Sequence, residues 1–122
     1  MAGKKIEPKR EARIVDEIIV DAYTEDERAT SWYYHLESEL RFPFQAECVK
    51  PRRISPLRKG EKIQITALAP AEDCAHQILV LGRWDGRLLS VPLAQLKPIG
   101  VDKAAAQAIA DWHYWVAHEN QF

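Results

Sequence analysis

The side chains best placed for chemistry in this sequence are carboxylates. Glu17, Asp21 and Glu25 recur at four-residue intervals, and Asp26 and Glu27 follow directly. On one continuous helix the first three would stack like charges along a single face, costing roughly 0.2–0.5 kcal/mol per pair. A bound cation would relieve that cost. A hard dication such as calcium takes about six to eight oxygen ligands, which carboxylates and the carbonyls of a helix-to-helix turn can supply. The competing reading needs no ion, because Glu25, Asp26 and Glu27 in the first turn of a helix complement its positive end. An EF-hand is excluded. A loop starting at Asp21 needs glycine in its sixth place and glutamate in its twelfth, where Asp26 and Trp32 stand.

A second cluster, Glu72-Asp-Cys-Ala-His76, gathers a thiol, an imidazole and two carboxylates within five residues. Zinc would need a second Cys or His pair at ligand spacing, and Cys48 stands alone. Cys74 and His76 would share one side of an extended segment, yet no third group is placed to orient the imidazole. The chain therefore reads as a non-enzymatic protein.

A third cluster is aromatic: Trp112-His-Tyr-Trp115, with Trp84 and Tyr33. Aromatics can stack on bases while Lys50-Pro-Arg-Arg53 and Arg58-Lys59 meet phosphates. Against this, Trp32 and Trp112 sit at helical spacing from other apolar residues and belong to a core, and the basic loop is a solvated turn. His35, His113 and His118 lie on helix faces as structural or surface residues. Nucleic acid is not the expected partner.

The elements that must hold these groups fit one compact domain of 122 residues, in which 17 basic side chains nearly balance 18 acidic ones. No global charge draws it to nucleic acid or to an anionic membrane. No apolar run reaches spanning length and the start lacks a signal-peptide core, so a cytoplasmic location without membrane contact is expected. Cys48 and Cys74 read as reduced, buried small hydrophobes.

Residues 1–10 are expected to form a flexible basic tail, and 11–122 the domain. Ile14, Val15, Ile18, Ile19 and Ala22 have helical spacing, although the run 18–20 also suits a strand. Thr24 and Glu27 have capping-box spacing, and Ala29, Trp32, Tyr33, Leu36 and Leu40 mark one face of a helix reaching about Arg41. Phe42-Pro-Phe ends it. Alternation then gives strands over 44–48 and 63–67; 77–84 and 87–91 form a hairpin around Asp85-Gly86, and 97–99 a last strand after a short helical turn. Asp102 caps a final helix with Ala105, Ala108, Ile109, Trp112 and Val116 inward. The expected fold is α+β: a small SH3-like β-barrel of four to five short strands, flanked by two N-terminal helices and one C-terminal helix.

Eight blocks carry a resemblance in order along the chain: Val20-Asp-Ala-Tyr-Thr-Glu-Asp-Glu-Arg-Ala29, Trp32-Tyr-Tyr-His-Leu-Glu37, Phe42-Pro-Phe-Gln-Ala-Glu-Cys48, Ser55-Pro-Leu57, Ala69-Pro-Ala-Glu-Asp-Cys74, Arg83-Trp-Asp-Gly-Arg87, Val91-Pro-Leu-Ala-Gln-Leu96 and Asp111-Trp-His-Tyr-Trp115. Together they resemble the bacterial calcium-binding family typified by cyanobacterial CcbP, over roughly residues 12–116. The resemblance implies a small soluble protein that sequesters calcium without an EF-hand, in buffering or signalling. It carries over to the carboxylates inside matched blocks, Asp21, Glu25, Asp26 and Glu37, with Glu72 and Asp73 behind them. Asp111 is expected to fix local structure. Family members are markedly acidic, whereas this chain is nearly neutral. That departure implies a weakened calcium site, or an SH3-like protein or nucleic-acid interaction module that has kept the fold and lost the metal.

Overall fold

A computed structural model describes residues 6–53 and 55–118. The first helix, α1 (Pro8–Arg13), opens on a proline whose missing N–H costs nothing in a first turn. It widens into a π turn over Ile14–Ile18, closed by Ile19 N–H donating to Ile14 O at 2.9 Å. Ile14 and Ile18 are buried. The described part of the expected tail is thus helical from Pro8 onward, and residues 1–5 lie outside the described residues.

Thr24 starts α2 (Glu25–Glu39) with the anticipated capping box: its Oγ1 accepts from Glu27 N–H at 3.1 Å, and Glu27 Oε1 accepts from Thr24 N–H at 3.0 Å. Trp32, Leu36 and Leu40 face the core. After a cis Phe42–Pro43 bond come β1 (Phe44–Cys48), β2 (Lys62–Leu68), β3 (Leu79–Trp84), β4 (Arg87–Pro92) and β5 (Leu96–Ile99). The Asp85-Gly86 turn has φ of 49° and 73°, and Trp84 faces Arg87 across it. Those angles are the pair that a tight two-residue hairpin requires, and glycine takes the second without steric cost. Asp102 caps α3 (Lys103–Ala117) by accepting from Ala105 N–H at 2.8 Å.

The strands form one antiparallel sheet in the order β4-β3-β2-β1-β5. This corrects the expectation of a closed barrel, since among the described residues β4 and β5 do not pair. Each is committed elsewhere, β4 to β3 and β5 to β1, and Pro98 on the β5 edge has no N–H to extend the ladder. Yet the sheet cannot be flat. Only the 3-10 turn Leu93–Gln95 joins these outer strands. Four strand spacings put flat edges about 19 Å apart, whereas the chain from Pro92 to Leu96 reaches at most about 15 Å. The sheet therefore curls, and the helices pack on one of its faces. Ile63, Ile65, Val80 and Val91 from the strands meet Trp32 and Leu36 of α2 and Ile109 and Trp112 of α3 in one core.

Candidate metal centre

The four-residue spacing of Glu17, Asp21 and Glu25 does not survive folding. The N-terminal helical segment ends at Ile19, and Asp21 takes a left-handed backbone conformation with φ of 60°. Glu25 then opens a new helix, so the three carboxylates share no helical face. The break has a local cause, because the capping box at Thr24 needs an extended residue there and restarts the chain in a new direction.

What the break brings together is a different set. Asp21, Asp26 and Glu27 line one shallow cleft with Ala22, Thr30 and Ser31. Tyr23 Oη donates to Asp21 Oδ1 at 3.4 Å. Glu27 is already engaged: its Oε1 accepts from the N–H groups of Tyr23 and Thr24 at 3.1 and 3.0 Å, which hold its carboxyl below the usual range. Among the described residues neither Asp21 nor Asp26 takes a backbone N–H on its carboxylate in this way.

Asp26 also borders the neighbouring cleft, where Thr30, Tyr33 and Tyr34 of α2 face Ala71, Cys74 and Ala75. The 3-10 turn Ala71–Cys74, which carries Glu72 and Asp73, thus packs along the helix. Tyr33 Oη fastens it by donating to Ala69 O at 2.8 Å. Burial raises the Tyr33 phenol, and the charges of Glu37 and Glu72 add to the rise. Glu37 follows Asp26 by eleven residues, about three turns, which returns it to the same face roughly 16 Å along the helix. Asp26 and Glu37 thus share a face of α2, Asp21 shares a cleft with Asp26, and the turn that carries Glu72 packs beside the same helix. Glu25, Glu37, Glu72 and Asp73 are exposed on the same two elements but line neither cleft.

Among the described residues no three acidic, histidine or cysteine side chains converge tightly enough to enclose an ion. None of the six candidate carboxylates makes an ion pair there either. Their chemistry suits a hard cation: exposed oxygen donors without an ion-pair partner among the described residues, beside the backbone of a turn. A cation near a helix start meets about half a positive charge, but the first turn of α2 supplies three carboxylates against it.

The other candidate chemistries are absorbed by structure. The Cys74 thiol is buried and pushed up by that burial, and its Sγ accepts from Leu79 N–H at 3.4 Å. It is a protonated core group, unsuited to zinc or to nucleophilic attack. Trp32 meets Trp112 edge-on at 5.1 Å and Trp115 at 6.0 Å, inside the core, where neither Trp32 nor Trp112 can stack on a base. His113 Nε2–H donates to Leu96 O at 2.6 Å, tying α3 to β5.

Sequence reasoning missed one polar assembly. Asp111, 1% exposed, receives Arg13 through Nε at 3.0 Å and Nη2 at 2.7 Å, with Arg10 Nε at 3.4 Å. Tyr114 Oη donates to Glu11 Oε2 at 2.7 Å and accepts from Glu7 N–H at 3.1 Å. This assembly bolts α1 to α3, which confirms Asp111 as structural. Two arginines three apart in a helical register were its available signal.

Comparison with known proteins gives consistent results. A family model described as calcium binding, of CcbP type, matches residues 12–116. The crystal structure of CcbP from Anabaena is 35% identical over 100% of both chains, with a TM-score of 0.85. A calcium-binding protein in its calcium-binding form is 34% identical, again over 100% of both chains, with a TM-score of 0.86. A comparison with curated protein sequences finds no match.

Proposed function

Given that the chain belongs to the CcbP family of calcium-binding proteins, we propose that it is a non-enzymatic calcium-ion binding protein whose ligands come from the acidic side of α2. Asp21 and Asp26 form the centre of the proposed site, with Glu25 beside them, Glu72 and Asp73 supplied by the packed 3-10 turn, and Glu37 further along the helix. The observation that carries this reading is the placement of Asp26 at the junction of two clefts, one shared with Asp21 and the other with the turn that bears Glu72. The curl of the sheet, with its two edges strapped by Leu93–Gln95, supports describing the scaffold as an SH3-like roll.

Because the carboxylates start apart, the ion must gather them, and ordering each long side chain costs binding free energy. Calcium tolerates such irregular and partly hydrated ligation, whereas magnesium demands a small, near-octahedral shell and surrenders its waters reluctantly. The arrangement supports calcium over magnesium, with a modest affinity suited to buffering or signalling.

Calorimetric titration of metal-stripped protein with calcium, beside magnesium and zinc, tests the reading. Saturable calcium binding that falls at least tenfold in Asp21→Asn/Asp26→Asn is the expected result. Silence at millimolar calcium would overturn it and leave an interaction module that has lost the metal.

A further inference from the structure

Away from the acidic side of α2, a groove of about 630 Å³ runs between the start of α1, the β1–β5 border of the sheet and the outer face of α3. That volume lies in the usual range for small-molecule sites, about 300–1,000 Å³. Its floor is apolar, built from Val49, Pro98, Ile109 and the alanines at 106 and 110. The groove exists because α3 presents alanine on successive turns toward β5, and a methyl group cannot fill the space that a leucine would. His113, donating to Leu96 O at 2.6 Å, fixes the wall.

The charges at this groove are unbalanced. Lys50 and Lys97 line it, both exposed, and neither forms an ion pair among the described residues. The one acidic side chain on the lining, Glu7, already faces Arg10 at 3.5 Å, and Arg10 is also held by Asp111 at 3.4 Å. Burial depresses His113, and the charge of Lys50 adds to the fall. The result is a locally positive apolar groove on a protein whose net charge is −1.

We propose that this groove is a binding site for a small amphipathic anion, an organic carboxylate whose apolar body lies on Val49, Ile109 and the two alanines while Lys50 and Lys97 hold its head. An apolar floor alone would take any hydrophobic solute. The two unpaired ammonium groups select the anionic one, through charge-assisted hydrogen bonds at the solvent-exposed rim. The site shares no residue with the acidic side of α2, so it stands or falls independently of calcium binding.

The test is calorimetric titration of the full-length protein with decanoate, calcium being chelated, beside decanol and acetate. One-to-one binding of decanoate, with decanol and acetate each about tenfold weaker or worse, is expected. Lys50→Gln/Lys97→Gln should bring decanoate down to the level of decanol, and Ala110→Leu should abolish binding of both. The lysines are exposed, so an unchanged melting temperature verifies that the double variant is folded. Decanol binding as tightly as decanoate, decanoate binding unchanged in the lysine variant, or no saturable binding would each overturn the proposal.

Discussion

Arg13 and Asp111, 98 residues apart in sequence, meet in a two-point ion pair with both nitrogen–oxygen distances at or below 3.0 Å. Asp111 is 1% exposed while the Arg13 side chain keeps 26% of its surface. Removing the carboxylate would leave two arginines facing a buried void. Breaking a fully buried pair costs about 3–5 kcal/mol, and the partial exposure of Arg13 reduces this to about 2–3 kcal/mol for Asp111→Ala. Urea denaturation checks it; a loss under about 1 kcal/mol would mean that the pair is solvated in practice.

Acid should weaken the fold below neutrality. Burial depresses both His35 and His113. Above an unfolded histidine pKa of about 6.5 both states are neutral and nothing is lost. As pH falls through that value the unfolded chain takes up protons before the native one, so stability drops until the native imidazoles titrate as well. Denaturation midpoints at pH 7.5, 6.0 and 5.0 should decline, and the decline should shrink in His113→Gln.

Asp21→Gly separates stability from metal binding. At φ of 60° an aspartate is strained relative to glycine, so the variant should match the parent or gain up to about 1 kcal/mol in metal-free buffer. Its calcium affinity should nevertheless fall. Retained calcium affinity would remove Asp21 from the proposed ligand set, and a loss of stability without calcium would mean that the aspartate is not strained there.

Gly82 lies in the middle of β3, where an added Cβ would approach Ile63 Cδ1 and Cγ1 to 2.5 and 2.7 Å. Ile63 is 1% exposed and has little room to retreat. Gly82→Ala should cost about 1–3 kcal/mol by thermal melting, an overpacking penalty that a Gly82→Ala/Ile63→Val pair should partly relieve.

Local rules made much of this fold legible. The capping box at Thr24, the Asp85-Gly86 hairpin and the Asp102 cap each act within a few residues, and the strand alternation from Phe44 to Cys48 reads directly as burial in the sheet. The failures were non-local. Nothing near Pro8 announces that Arg10 and Arg13 have a buried partner on the last helix, so that end read as a tail. Barrel closure failed because hydrogen-bond pairing at the sheet edges is a global outcome. The candidate carboxylates are exposed, but the helical spacing of Glu17, Asp21 and Glu25 misled, because a single left-handed residue at Asp21 redirects the chain and places Asp26, not Glu17, in its cleft. The apolar groove left only a faint trace, alanines one turn apart at 106 and 110, to which only the fold brings Lys50.

The three-residue strap between β4 and β5 also bears on how the chain assembles. β2, β3 and β4 can zip in sequence, since each follows its neighbour closely. β1 is different: its second margin pairs with β5, whose Leu96 meets Cys48 across 48 residues of chain. Such distant pairing is slow to find and is paid in loop-closure entropy. During synthesis β1 must therefore wait with one margin bare until Ile99 has emerged, and that interval is when a neighbouring nascent chain could take the place reserved for β5.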